Sequence, residues 1–191
     1  MNSIGTIEIK TQRLLLRTIR ESDYMDMYEY TSKEEVAKYV SWSPHKRIED
    51  TMALCKMWAE EYAKTDRYNW AIVFNGRVIG NIDVGKMVDE NAFLGWQIDS
   101  IYWNKGIVTE AATAVRDFLF AKVGVVGIYA SYIAENIGSG RVMQKIGMKG
   151  ITHKEYSATL KKECEEEIDG LPVSFYRLTK EEWYERNEKE R

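Results

Sequence analysis

Between Trp103 and Thr109 the chain reads Trp-Asn-Lys-Gly-Ile-Val-Thr, a polar turn with one glycine that leads into a helical repeat of apolar residues. Val108, Ala111, Ala112, Val115, Phe118 and Leu119 recur at helical spacing, while Thr109, Glu110, Thr113, Arg116 and Asp117 fall on the other side. The apolar face must pack on a sheet, and the first turn leaves N–H groups without intrahelical partners at the positive end of the macrodipole. Asn104, Lys105, Gly106, Ile107, Val108 and Thr109 therefore form a candidate phosphate cradle built from main-chain donors, with Gly106 letting the ligand come close. A glycine here also relieves crowding at a tight strand-to-helix turn, so the feature taken alone has two readings. Neither Gly-x-Gly-x-x-Gly nor Gly-x-x-x-x-Gly-Lys-Ser/Thr occurs at a strand-to-helix junction, which points away from dinucleotides and Walker-type nucleotides.

A second polar stretch opens at Asn136, which is positioned to cap a helix that Gly147 would end. Gly138 and Gly140 each cost such a helix about 1 kcal/mol against alanine, which suggests that something must come close to them. Ser139, Val142, Met143 and Ile146 share one face, an apolar stripe with a hydroxyl near its opening. A serine at a helix start also bonds its own backbone, the alternative reading for Ser139 alone.

Taken together, Trp103-Asn104-Lys105-Gly106-Ile107-Val108-Thr109-Glu110-Ala111 and Asn136-Ile137-Gly138-Ser139-Gly140-Arg141-Val142-Met143-Gln144-Lys145-Ile146-Gly147-Met148 resemble the acetyl-CoA signature of GCN5-related N-acetyltransferases (GNAT). More narrowly they are similar to the branch that includes the ribosomal-protein N-terminal (alanine/serine) acetyltransferases. There the blocks usually read Trp-Gly-Lys-Gly-Tyr-Ala/Met-Thr-Glu-Ala and Asn-x-Ala/Gly-Ser-x-Arg-Val-x-x-Lys-x-Gly-Phe. The resemblance covers nearly the whole chain, from the opening strand Arg13 to Arg17 to the closing Thr179 to Trp183.

The resemblance implies an α+β fold of mixed α/β type: a mixed, mostly antiparallel sheet with a splayed parallel pair of strands and flanking helices. It implies acetyl-CoA as co-substrate, with pantetheine along Gln97 and Ile98 and pyrophosphate on Asn104 to Thr109. A main-chain N–H near Ile98 would face the oxyanion, a role worth on the order of 3 kcal/mol for a good donor. Asn136 would bond the pantetheine amide and Ser139 would lie near sulfur, able to donate a proton to the thiolate. This chain departs from the pattern at Met143, where relatives use a tyrosine as acid, and at Trp103, Asn104 and Val108, where side chains could crowd the cradle.

The implied reaction carries an acetyl group from acetyl-CoA to a primary amine by direct attack in a ternary complex. The leading acceptor is a protein N-terminal α-amine. Alternatives are a small amine, such as a polyamine, an amino acid or an aminoglycoside, and a non-catalytic acyl-CoA sensor. No histidine lies on the central strands, so base candidates are Asp83, Asp99, Glu135, Tyr132 or a water chain they polarise. Glu110 reads as a carboxylate complementing the helix dipole.

The elements that must position these groups are legible from pattern. Residues 7–19 alternate as a first strand, and Ser22 or Asp23 can cap a helix to about Tyr30. Helices are expected over Lys33–Val40 and Ile48–Lys64, the latter with a core stripe of Met52, Cys55, Trp58, Ala59 and Tyr62. The resemblance places Trp42, Pro44 and His45, between them, near the acceptor; their other reading is a hydrophobic staple. Asn75-Gly76 joins strands 69–74 and 77–84 as a hairpin, and a central strand covers 92–98. A helix over 107–122 crosses to a parallel strand at 127–134. Residues 149–160 read as strand, 161–170 as a polar loop or hairpin tip, 173–178 as a last strand, and Asn187 to Arg191 as a frayed end.

With 191 residues and a net charge of −3, one domain over 1–191 is expected, and nucleic acid is not. No apolar run approaches the roughly 20 residues that span a bilayer, and no signal-peptide h-region opens the chain, so a cytoplasmic monomer or homodimer is expected. Cys55, Cys164, His45 and His153 lack metal-ligand spacing, and no metal is expected.

Overall fold

The computed structural model describes residues 2–40, 42–64 and 66–189. In chain order, β1 (Ile9–Lys10) and β2 (Leu14–Arg17) precede a 3-10 turn and α1 (Tyr24–Thr31), α2 (Glu34–Ala37) and α3 (Ile48–Glu61). Then come β3 (Tyr68–Phe74), β4 (Arg77–Val88), β5 (Asn91–Ile98) and α4 (Ile107–Phe118). The chain closes with β6 (Gly127–Ile133), α5 (Ile137–Lys145), β7 (Lys149–Ile151), α6 (His153–Leu160), β8 (Glu167–Ile168), β9 (Leu171–Thr179) and α7 (Lys180–Lys189). The fold is mixed α/β: a mostly antiparallel sheet with one parallel pair, β5 and β6. The chain forms two compact units, and β4, β5 and α4 run through both.

The first unit holds residues 3–84 and 95–114. Here β1, β2, β3 and β4 are antiparallel neighbours in that order. Asn75 (φ 49°) and Gly76 (φ 80°) make the expected two-residue turn, since only residues that tolerate positive φ can close it. A bulge between Ile72 and Val73 shifts the register, so that Asn69 faces Asp83 and Ala71 faces Asn81. Gly80 permits a close approach of β5: a side chain there would overlap the Gln97 carbonyl and the Ile98 backbone.

Ile19, Met27, Tyr30, Val36, Cys55, Ala71, Val73 and Val78 form this unit's core. Burial corrects the α3 stripe. Met52 is 45% exposed and Thr51 is fully buried, so the inward face runs through Thr51, Cys55, Trp58 and Tyr62. Thr51 is satisfied there by Thr31 at 3.0 Å. α1 ends at Thr31, close to the expected Tyr30, whereas α2 and α3 end about three residues sooner than expected, and neither Ser22 nor Asp23 caps α1 by side chain. Asp23 instead accepts from the Arg20 N–H at 2.8 Å and pairs with Arg17 at 2.7 Å, which fixes the preceding 3-10 turn. The first strand is also broken in two, because Thr11 Oγ1 accepts from the Leu14 N–H and folds residues 11–13 into a turn.

The second unit holds residue 2, 85–94 and the described residues from 115 onward. Asp89 (φ 47°) and Glu90 (φ 65°) close a second tight hairpin, β4 to β5, where residues 87–91 read only as a connection. β5 pairs with β6 in parallel from Asn91↔Gly127 to Phe93↔Tyr129 only, the short ladder of a splayed pair, while β6 pairs with β9 along its whole length. β7 and β8 both lie on β9. Phe93, Tyr129, Tyr156 and Phe175 pack as an aromatic core, with ring centroids 4.8–6.1 Å apart.

Two expectations are overturned here. The strand read over 149–160 ends at Ile151, and His153–Leu160 is helical. Thr152 and Glu155 form a reciprocal capping box, with Thr152 Oγ1 accepting from the Glu155 N–H at 3.2 Å and Glu155 Oε2 from the Thr152 N–H at 2.9 Å. The expected fraying at Asn187 to Arg191 gives way to helix through Lys189, while Glu190 and Arg191 lie outside the described residues. Trp183 ties that helix down: its Nε1 donates to Asp117 at 2.7 Å and its ring stacks on Phe120.

Candidate active site

In the first unit the cradle leaves β5 through an Asp99-capped 3-10 turn, Ser100–Tyr102. Asn104 (φ 59°) and Gly106 (φ 73°) both take left-handed backbone, and the first helical bond runs from the Glu110 N–H to the Gly106 carbonyl at 3.0 Å. The N–H groups of Ile107, Val108 and Thr109 thus precede the helical ladder, directly after the exposed turn 103–106, although the Ile107 residue itself is buried. Among the described residues outside its chain neighbours, a Cβ at Gly106 would touch only Arg13 Nη2, at 3.6 Å, so the positive φ rather than crowding calls for glycine. Trp103 does not fold over the cradle. Its ring N–H donates to the Ile98 carbonyl at 3.2 Å.

Glu110 has a structural task. It accepts from Thr11 Oγ1 at 2.6 Å and from the Arg13 N–H and Nε at 2.9 and 2.6 Å, and Arg13 Nη1 also holds the Lys105 carbonyl at 3.1 Å. Burial works against its charge, but the hydrogen bonds from Thr11 and Arg13 prevail and keep the carboxyl below its ordinary value. The latch fixes the turn to the start of β2.

Alternate residues of β5 turn their main-chain groups to opposite edges. The Asp99 N–H donates to Ile79 of β4 at 2.8 Å, so the Ile98 N–H, one residue earlier, points away from β4. Gln97 offers its side chain to the helix-covered face, where Nε2 donates to Asn81 Oδ1 at 2.6 Å. Tyr30 donates to the same oxygen at 3.4 Å, and Asn81 Nδ2 lies 3.4 Å from Asp83 Oδ1.

Of the base candidates Asp83 stands apart. Part of the residue's surface is accessible, yet protein surrounds the carboxyl, and burial pushes its pKa up to about 7. Asp99 is occupied by Lys33 at 2.5 Å and by the Ile101 N–H at 3.2 Å. Glu135 is exposed. Trp42 packs on the first unit's core and tilts against His45, whose Nδ1 meets Thr51 Oγ1 at 2.7 Å, the geometry of a packing element.

In the second unit Asn136 caps α5 as expected, its Oδ1 accepting from the Ser139 N–H at 3.2 Å, and Gly147 ends the helix at φ 92°. Ser139 is half-buried and Met143 and Ile146 are buried, so Met143 faces the core and takes no part in proton transfer. What approaches Gly140 is this chain's own Tyr132, whose hydroxyl a Cβ would overlap. Burial raises the Tyr132 pKa, which removes it as a base at neutral pH and keeps its hydroxyl a donor beside the first turn of α5. Sequence reasoning missed this placement, for which the signal was a glycine at 140 where a helix former would serve better.

The chain belongs to the GNAT family of acetyltransferases, whose acetyltransferase (GNAT) domain model matches residues 13–149. It is accordingly an acetyl-CoA-dependent N-acetyltransferase. The uncharacterized N-acetyltransferase YnaD of Bacillus subtilis (strain 168) is 32% identical over 144 residues, 75% of this chain and 83% of that one. A GNAT-family acetyltransferase structure from Bacillus anthracis has a TM-score of 0.76 at 28% identity, covering 92% and 99% of the two chains. The ribosomal L7/L12 α-N-protein acetyltransferase RimL, solved with coenzyme A, shares the fold at 15% identity with a TM-score of 0.76, covering 91% of this chain and 98% of that one. No helix among the described residues is long and apolar enough to cross a membrane.

Proposed function

We propose that this enzyme acetylates a protein N-terminal α-amine, of the ribosomal-protein type, with Asp83 as general base. The carrying observation is the enclosed Asp83 carboxyl, which titrates near 7 on the face where Tyr30, Asn81 and Gln97 converge. A base near 7 matches an α-amine, whose pKa is about 7.7–8.0, far better than a lysine near 10.4. RimL, whose name specifies such an acceptor, has the same fold.

The amine nitrogen attacks the thioester carbonyl carbon and passes a proton to Asp83. The C–S bond then breaks, Ser139 donates a proton to the departing thiolate and regains one from solvent, and Asp83 releases the amine's proton to solvent. Pyrophosphate is assigned to Asn104, Lys105, Gly106, Ile107, Val108 and Thr109, and pantetheine to the main chain at Gln97 and Ile98 and to Asn136. The outward Ile98 N–H supports the oxyanion role, because a preorganised amide acts without reorganisation.

Thiol release from acetyl-CoA should saturate with peptides that present a free α-amine and stay near background with N-acetylated peptides. Saturation with polyamines, amino acids or aminoglycosides instead would move the acceptor to small molecules. Tight acetyl-CoA binding with no turnover on any amine would identify a sensor. Ser139→Ala should lower kcat roughly tenfold or more while acetyl-CoA affinity holds, if the hydroxyl serves the thiolate. Equal losses in both would make Ser139 a positioning residue.

A further inference from the structure

The structure assigns Gly95 to the choice of acceptor: the space left by its absent side chain beside the Asp83 carboxyl receives the acceptor nitrogen and limits branching at the carbon that bears it. This inference rests on Asp83 being the base.

Asp83 is flanked on two sides by residues of its own unit. Across β3 stands Asn69, fully buried, and along β4 stands Asn81, with Nδ2 at 3.4 Å. On the β5 side stands Gly95, half-buried and therefore reachable. A Cβ built there would lie 3.8 Å from Asp83 Oδ1 and, its chain neighbours Leu94 and Trp96 aside, within 4 Å of no other heavy atom among the described residues. Gly95 also lacks the positive φ that calls for glycine elsewhere in the chain.

Packing and backbone geometry therefore leave this glycine unexplained, in contrast to Gly80 and Gly140, where a Cβ would overlap protein atoms. Its neighbour explains it. A general base must come within about 2.6–3.2 Å of the nitrogen whose proton it takes. A methyl group 3.8 Å from the same oxygen would fill the place from which such a nitrogen approaches. The carbon bearing the nitrogen must follow it into the gap, so each added branch competes for the same volume.

The test compares wild type and Gly95→Ala on two peptides, one opening with glycine and one with alanine, alongside acetyl-CoA affinity and thermal unfolding. One methyl group in a fitted site is worth roughly 10–200-fold, so kcat/KM should fall about tenfold or more on the glycine peptide. It should fall further on the alanine peptide, with acetyl-CoA affinity and melting temperature unchanged. Wild-type rates on both peptides, or one equal loss on both, would overturn the inference. Should the variant fold poorly, wild type on glycine, alanine and α-aminoisobutyryl peptides keeps the idea exposed: rates must drop with branching, and a flat series sinks it. Asp83→Asn separates the two layers. If that variant is inactive while Gly95→Ala behaves as wild type, only the role of Gly95 fails; if it stays active, the base assignment fails.

Discussion

Asp83→Asn should lose roughly 10²- to 10⁴-fold in kcat/KM and, above pH 7, gain resistance to unfolding. The two effects share one cause. The Asp83 pKa is raised from 3.8 in the ordinary state to about 7 in the fold, so between those values the native protein holds a proton that the unfolded chain has released. Stability must then fall as pH rises from about 4 to 7, and above 7 the cost of the buried charge is fully present, on the order of 4 kcal/mol as an upper bound. Asparagine has the same shape and no charge, so it removes the cost together with the base. Unfolding curves of both proteins at pH 4, 6 and 8 should diverge upward in pH, and parallel curves would show a solvated carboxylate. In wild type the kcat/KM profile should rise through about pH 7 as Asp83 ionises, and that limb should vanish in the variant.

Gly106→Val should weaken coenzyme A binding by roughly ten- to a hundredfold, because holding a β-branched residue at positive φ costs about 1–3 kcal/mol. Gly106→Asn is the informative companion. Asparagine tolerates left-handed backbone, as Asn104 does two residues away at φ 59°, and among the described residues outside its chain neighbours a Cβ at 106 meets only Arg13 Nη2 at 3.6 Å. Calorimetry with coenzyme A should find the asparagine variant close to wild type if backbone hand is what matters. Equal weakening in both would mean that the ligand itself comes too close for any side chain, and unchanged affinity in both would remove the cradle.

Much of this was readable in advance because local signals were strong. Apolar spacing from Val108 onward, Asn75-Gly76 and the cap at Asn136 each rest on chemistry within a few residues. What escaped depends on partners distant in sequence. Continuing the register of the turn, where Phe74 faces Arg77, along an unbroken ladder would set Asn69 opposite Ile82; the bulge at Ile72 moves it opposite Asp83 and builds the polar face. The α6 miss was different, since Thr152-x-x-Glu155 is a helix-start signature in plain view, outweighed by apolar residues that could alternate as a strand. Asp83 was one carboxylate among several until burial singled it out.

The collision between a Cβ at 140 and the phenol of Tyr132 has a consequence for how such a chain can drift over generations. Position 140 can gain even a methyl only if the Tyr132 ring shifts, and a smaller residue at 132 would lift that constraint. Substitutions at the two sites should therefore be coupled, a change at one altering what the other can accept.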